Sequence, residues 1–106
     1  MNKLCRNMNV YLIVKAKVPK NIVNEFDEWY QKYHLSDAHF SFKSLKAFRC
    51  WINENEHHAY YKFKNIDIAN NVIKGKSLEK MVKTFDKKWK GQVTRSRELI
   101  EIIQEV

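Results

Sequence analysis

The order of apolar and polar positions changes its period several times along this chain, and each change predicts an element. Residues 9–18 are rich in β-branched and aromatic side chains and stop at Pro19, which is typical of a strand. Apolar side chains fall on both faces of this predicted strand, with Leu12 on one face and Tyr11 and Ile13 on the other. We therefore expect a strand that is covered on both faces.

A helix is predicted next. Pro19 suits its first position, where a missing N–H costs nothing. Apolar side chains then recur at spacings of four, three and four, as they do along one face of a helix: Ile22, Phe26, Trp29 and Tyr33. Tyr30 and His34 fall at the margin of this stripe, so we expect both at the rim between core and solvent.

Two further strands are predicted after a polar break. Residues 41–52 and 57–64 are joined by the polar turn at 53–56, and together they indicate a hairpin. Neighbouring residues of a strand face opposite sides of the sheet. Only one of Phe48 and Arg49 can therefore face the helices, and the alternation leaves open which one does.

The last third of the chain predicts helical segments and a final strand. Asp67 can cap a short helical piece that ends near Gly75, and Ser77 can cap the main second helix. Its apolar stripe has the same spacings as that of the first helix, and Gly91 ends it: Leu78, Val82, Phe85 and Trp89, with Met81 beside them. Residues 93–106 alternate loosely and predict a final strand of up to 14 residues.

The resulting order, β-α-β-β-α-β, predicts an α+β fold of the ferredoxin-like type. In this fold a four-stranded antiparallel sheet carries two helices on one face. We expect a single domain over residues 1–106, with residues 1–8 as a short N-terminal extension. Because the first strand is apolar on both faces and the last is long, we expect the uncovered face to pair with a second copy in a homodimer.

Composition narrows the classes of partner. The net charge of +8 favours anionic partners, but the lysines are spread over the chain and form no block that marks a nucleic-acid arm. Cys5 and Cys50 are isolated, which indicates free thiols. The apolar run at 10–14 is too short for a signal peptide, and no stretch suits a membrane span. We expect a cytoplasmic protein with no membrane partner.

Two stretches of sequence carry a resemblance to a known family. The first helix, "FDEWYQKYH", and residues 85–103, "FDKKWKGQVTRSRELIEII", resemble the dimeric α+β barrel superfamily over about residues 9–104. This group includes antibiotic-biosynthesis-type monooxygenases, muconolactone isomerases, EthD-like proteins and many small uncharacterised bacterial proteins, which the second stretch resembles most. The resemblance implies a pocket between helices and sheet, which in this chain would be lined by Trp29, Tyr30, His34, Phe48, Tyr61, Phe85 and Trp89.

Two of the residues suit catalysis. His34 could act as a general base or acid, since imidazole titrates near neutral pH, and Arg49 could hold a developing anion. A surface histidine and a cross-strand arginine are the structural alternatives. Arg95 and Arg97 share one strand face, where we expect ion pairs at the dimer interface.

Neither a cofactor nor a metal is expected. Haem-degrading members of the superfamily use a histidine on the second helix, but residues 77–90 contain none. His57 and His58 are adjacent in a strand, so their rings lie on opposite faces and cannot chelate one ion together.

Three functional classes stay open from sequence alone. The first is a cofactorless monooxygenase- or isomerase-like enzyme, or a binder, that takes a small flat anionic or aromatic molecule. The second is a non-catalytic homodimeric protein. The third is an RRM-like RNA-binding domain, which shares the order of elements but would need stacking aromatics that the third strand supplies only at Tyr61 and not at Ala59. Of these three classes, RNA binding fits the sequence least well, so we do not expect nucleic acid to be the partner.

Overall fold

A computed structural model describes residues 8–106 of the chain. The predicted order of elements is confirmed, and their bounds are β1 (Val10–Lys17), a 3₁₀ turn (Lys20–Ile22), α1 (Val23–Trp29), a π-helical turn (Tyr30–His34), α2 (Leu35–Phe42), β2 (Lys46–Asn53), β3 (Glu56–Phe63), α3 (Ile66–Lys74), α4 (Lys76–Trp89) and β4 (Thr94–Glu101). Cys5 and nearly all of the predicted extension over 1–8 lie outside the described residues.

The four strands form one antiparallel sheet in the order β2-β3-β1-β4. Strand β1 lies between β3 and β4, so Val14 is flanked by Ala59 on one side and Arg97 on the other. The helices pack on one face of this sheet. Both features are those of the ferredoxin-like fold, which the sequence predicted.

The core lies between the helices and the inner face of the sheet. Its largest members come from both layers and are almost completely buried: Phe26, Tyr30, Tyr61, Phe63 and Trp89. The rings of Phe26 and Trp89 lie 5.3 Å apart, and those of Trp29 and Phe85 lie 5.8 Å apart. The two predicted helical stripes therefore meet in a single aromatic cluster, as their matched spacing indicated.

The stripe of the first helix was predicted incorrectly beyond Trp29. Tyr33 is 57% exposed, whereas Tyr30 and His34 are only 2% and 4% exposed. The cause is the π-helical turn at Tyr30–His34, because its i→i+5 bonds add a residue to that turn and rotate everything after it. The side chains expected at the rim are therefore inside, and the one expected inside is at the surface.

The first helical segment also runs further than predicted. Helix α2 continues to Phe42 and ends at Lys43, which adopts a left-handed conformation with φ 54°. The second strand therefore begins at Lys46, not at residue 41. An apolar run such as that around Phe42 fits a helix end as well as a strand start, and periodicity alone does not separate them.

Two predicted caps were also wrong. Asn65, not Asp67, caps α3, because its side chain accepts a hydrogen bond from the backbone N–H of Ile68. Ser77 lies inside α4, and its hydroxyl donates to the carbonyl of Ser41 at 2.9 Å. That bond joins α4 to α2 and does not begin a helix.

The last strand is shorter than its apolar pattern indicated. Strand β4 has 8 residues and ends at Glu101, and one further backbone bond joins Ile102 to Asn9. Residues 103–106 lie beyond the sheet. None of the described helices is both long enough and apolar enough to cross a membrane.

The outer face of the sheet carries its own aromatic cluster. The rings of Phe48 and Tyr60 stack at 4.7 Å, and Tyr11 meets both edge-on. Phe48 is 41% exposed. We call this surface the open face and define it by Tyr11, Ile13, Phe48, Tyr60 and Ile100.

Candidate functional site

The π-helical turn brings two polar aromatic residues to the inside of the fold. From α1 through α2 the buried residues are spaced four apart: Phe26, Tyr30, His34, Ala38 and Phe42. A pure α-helix would drift away from one face at this spacing. The backbone N–H of Leu35 donates to the carbonyl of Tyr30, five residues earlier, and this wider turn keeps the side chains aligned. Such turns frequently occur at functional sites.

His34 is enclosed by aromatic rings. It stacks on Trp29 with ring centroids 4.4 Å apart, and Tyr30 and Phe85 meet it edge-on at 4.9 Å and 5.8 Å. Burial, together with the smaller effect of the nearby Arg95 charge, lowers the pKa of His34 to about 4. His34 is therefore neutral at pH 7. Its Nδ1 is buried with no hydrogen-bond partner among the described residues.

A cavity opens between the helices and the sheet beside His34. The space in it that a water molecule can occupy is about 30 Å³, and the empty space around it, which includes open solvent, is about 350 Å³. Its lining combines the π-helical turn with aliphatic and aromatic residues of α2, α4, β1 and β3 and two arginines of β4: Val14, Tyr30, His34, Ala38, Phe42, Tyr61, Leu78, Met81, Val82, Phe85, Arg95 and Arg97. The cavity thus has an apolar interior, a neutral imidazole and a cationic side.

Arg95 and Arg97 both lie on the helix side of β4, away from the open face. Arg95 pairs with Asp86 of α4 at 3.1 Å, and its guanidinium lies 4.2 Å from the ring centre of Phe85. The sequence showed that Arg95 and Arg97 share one face of β4, but it did not show whether that face lies toward the helices.

Tyr30 and Tyr61 form a hydrogen-bonded pair in the wall of the cavity. Burial raises the pKa of Tyr30 to about 12, although the hydrogen bond from Tyr61 opposes this shift. The pKa of Tyr61 is also raised, again chiefly by burial. Both hydroxyls therefore stay protonated near neutral pH and can donate hydrogen bonds, but neither is a base there.

Arg49 faces the helices, which resolves the alternative that the strand pattern left open. Its guanidinium donates to the Asp27 carboxylate at 2.8 Å and to the Gln31 side chain at 3.0 Å. Trp51 donates to the same Asp27 oxygen at 2.8 Å, and these two bonds lower the pKa of Asp27. Arg49 is therefore held in a cluster that joins α1 to β2, and it does not line the cavity.

His57 is a second buried histidine, which the sequence suggested only as a metal ligand, a role that its place beside His58 excluded. Arg49 can only donate, so the contact of 3.3 Å assigns the His57 Nε2 as acceptor and places the proton on Nδ1. That Nδ1 has no partner among residues 8–106. Burial lowers the pKa of His57 to about 3. Tight packing against Phe26 and Tyr30, at 5.2 Å and 4.5 Å, leaves it outside the cavity.

The remaining predicted pocket residues separate into three groups. Tyr30, Tyr61 and Phe85 line the cavity. Trp29 packs against the lining residue His34, Trp89 packs against Phe26, and neither tryptophan borders the cavity. Phe48 lies on the open face, on the other side of the sheet. No group of three or more metal-ligating side chains occurs in the part of the chain that the structure describes.

No protein-family profile and no curated protein matches this sequence. Solved structures with the same fold are nevertheless found. A variant of SnoaB, a cofactor-independent oxygenase from Streptomyces nogalater, has a TM-score of 0.67 at 10% identity and covers 92% of this chain and 96% of its own. An EthD family protein from Bacillus halodurans has a TM-score of 0.67 at 14% identity and covers 86% and 97%.

A third structure, a conserved protein of unknown function from Bacteroides thetaiotaomicron, has a TM-score of 0.63 at 10% identity and covers 91% of this chain and 99% of its own. At these identities the likeness concerns the fold alone. The fold that the resemblance implied is therefore confirmed.

Proposed function

We propose that this protein binds a small flat molecule in the cavity beside His34 and acts on it without a cofactor, as an isomerase- or oxygenase-like enzyme. The observation that carries this proposal is the environment of His34. It is a neutral, buried imidazole that lines a cavity and has an unpartnered Nδ1. A buried polar atom without a partner is uncommon and calls for an explanation, and a bound ligand would supply the partner.

The chemistry begins with proton transfer to His34. With its present pKa of about 4, this imidazole is a weak base, which suits a ligand whose own C–H or O–H is acidic. A ligand that becomes anionic beside His34 raises the pKa of the imidazole, because the opposite charge stabilises its protonated form. In an isomerase the proton returns to another carbon. In an oxygenase the anion is oxidised by dioxygen.

The sequence prediction gave the anion-holding role to Arg49, and we now propose Arg95 for it. Arg49 does not line the cavity, because its guanidinium is held by Asp27 and Gln31. Arg95 lines the cavity and is close enough to His34 to affect its pKa. A fixed positive charge at this position would stabilise an enolate or phenolate as it forms.

We also propose that the protein is a homodimer paired through the open face. A cluster of three aromatic rings on an uncovered sheet face is costly to leave in water. A second copy would cover it without recruiting any residue of the cavity. A non-catalytic dimer would have the same interface, so ligand binding is the property that separates the two functions.

The test is a library of flat aromatic phenols and quinones, screened by thermal shift on the wild type and on His34→Gln. His39→Gln is the matched control, because His39 lies on α2 but outside the cavity lining. We expect ligands that stabilise the wild type and His39→Gln but stabilise His34→Gln much less. Equal stabilisation of all three proteins would remove His34 from the site, and a library without any ligand would favour the non-catalytic dimer.

RNA binding stays a third candidate, after the non-catalytic dimer, because of one feature of the open face. Tyr61, the expected stacking residue, is buried on the other side of the sheet. Tyr11 and Tyr60 instead occupy neighbouring strands of the open face, and Lys62 lies 5.9 Å from the ring centre of Tyr11. Phosphate contacts impose a salt dependence on affinity. Titration with single-stranded RNA at two salt concentrations would reveal it, and undetectable binding would exclude this candidate.

A further inference from the structure

The cationic side of the cavity is electrically unbalanced. Arg95 and Arg97 are alternate residues on one face of β4, and both line the cavity. The charge of Arg95 is opposed by Asp86 at 3.1 Å. Arg97 is exposed and forms no ion pair with any residue between 8 and 106. The net positive charge at this edge of the cavity is therefore that of Arg97.

The rest of the cavity is largely apolar. Apart from the two arginines, its lining is either aliphatic or aromatic, and no lining residue is acidic. Val14 of β1 is the strand neighbour of Arg97, and its side chain begins the apolar wall. A molecule that matches this surface has an apolar body inside and one anionic group at the edge.

We infer that the cavity selects apolar molecules that carry one carboxylate, and that Arg97 is the residue that recognises this carboxylate. The inference rests on the proposed function of the site and names the class of its ligand. A guanidinium offers paired donors in a plane that match the two oxygens of a carboxylate. Arg97 can make this contact without disturbing the pair between Arg95 and Asp86.

The contact would also orient the ligand. A carboxylate held at the edge by Arg97 directs the apolar body toward the inner wall, where His34 and Tyr30 supply the polar groups. Two attachment points, one at each end, leave few orientations for a flat molecule. Arg97 is thus a specificity-determining residue rather than a group that takes part in proton transfer.

The experiment compares matched acid and amide probes, which have nearly the same shape and differ in charge. The probes are benzoate, 2-naphthoate and octanoate with their primary amides, and affinities are measured by ¹H–¹⁵N NMR titration of the full chain. The proteins are the wild type, Arg97→Gln, Arg97→Lys and the control Lys83→Gln. Lys83 is exposed on α4, outside the cavity lining, and its replacement changes the net charge equally.

We expect the wild type and Lys83→Gln to bind the fitting acid about tenfold more tightly than its amide, as a charge-assisted pair of bonds provides. Arg97→Gln should bind acid and amide equally, and Arg97→Lys should keep part of the preference. The preference should also weaken at high salt.

If an acid and its amide bind the wild type with equal affinity, the inference about Arg97 is overturned, but the cavity remains a binding site. An equal loss of preference in Lys83→Gln would assign the effect to net charge and would also overturn it. Failure of every probe to bind would count against both the inference and the proposed function.

Discussion

The imidazole of His34 lies on the indole of Trp29 with ring centroids 4.4 Å apart and an interplanar angle of 19°. These two residues are five positions apart in the chain, and in a regular α-helix their side chains would point in clearly different directions. They meet because the π-helical turn at Tyr30–His34 lies between them. The stack is therefore a consequence of the same local change in helix geometry that creates the candidate site.

The rotation caused by this turn can be tested with two tyrosines. Tyr30→Ala should lower the free energy of unfolding by about 3–5 kcal/mol, as truncation of a buried aromatic does. Tyr33→Ala is the control, because 57% of Tyr33 is exposed, and it should change stability by less than about 0.5 kcal/mol. Urea unfolding measures both. A larger loss of stability for Tyr33→Ala than for Tyr30→Ala would contradict the π-helical turn and support the regular helix that the sequence predicted.

The aromatic core can be tested at Phe85, which touches Phe26, Trp29 and His34 and also supports Arg95. Phe85→Ala should cost about 3–5 kcal/mol of stability. Phe40→Ala offers the same chemical change at a site that is 84% exposed and should have little effect. A loss below about 1 kcal/mol at Phe85 would show that the helices do not pack as described.

Acid should destabilise the protein through its buried histidines. An unfolded histidine titrates near 6.5, whereas burial lowers the folded pKa to about 4 for His34 and about 3 for His57. Between these values the unfolded chain binds more protons, so the stabilisation is complete above pH 6.5 and is lost as the pH falls toward 4. We expect each histidine to account for about 2 kcal/mol of the loss between pH 7 and pH 5.

The measurement is urea unfolding at those two pH values for the wild type, His34→Gln and His57→Gln. Each variant should lose less stability on acidification than the wild type does. His39→Gln, which replaces a partly exposed histidine, should follow the wild type. Equal free energies of unfolding at both pH values would mean that neither imidazole is held neutral by burial.

The ion pair between Asp27 and Arg49 should contribute to stability and not to binding. The Asp27 side chain is 44% exposed, so solvent weakens the pair, and we expect a coupling of about 1 kcal/mol in a double-mutant cycle. Asp27→Asn, Arg49→Gln and the double variant provide this cycle. Arg49→Gln should leave the affinity for any ligand of the cavity unchanged. A selective loss of affinity would return the anion-holding role to Arg49.

Self-association should depend on the open face. The wild type is expected to be a dimer in light scattering at micromolar concentration, with a total interface above about 1,200 Å². Phe48→Lys places a charge in the centre of the aromatic cluster and should give monomers. Phe40→Lys makes the same change on α2 and should not. A monomeric wild type would leave the open face available for another partner, RNA included.

Much of the fold could be predicted because it depends on short-range patterns. The alternation of β1, the hairpin and the matched stripes of the helices each follow from a local period, and together they define the order of elements. The stripe of α4 was correct at Leu78, Phe85 and Trp89 since α4 is a regular helix throughout. Where the period was regular, the sequence by itself determined which side chains are buried.

The site depended on information that no local pattern contains. The burial of Tyr30 and His34 follows from the π-helical turn, which forms because tertiary packing favours a side-chain alignment that a regular helix does not provide. The same limit applies to β2 and β4. The alternation in a strand separates its two faces. Only packing against α1 and α4 decided that Arg49 and Arg95 face inward, where they pair with Asp27 and Asp86. The sequence thus determined the elements, and the tertiary structure decided which charges reach the cavity.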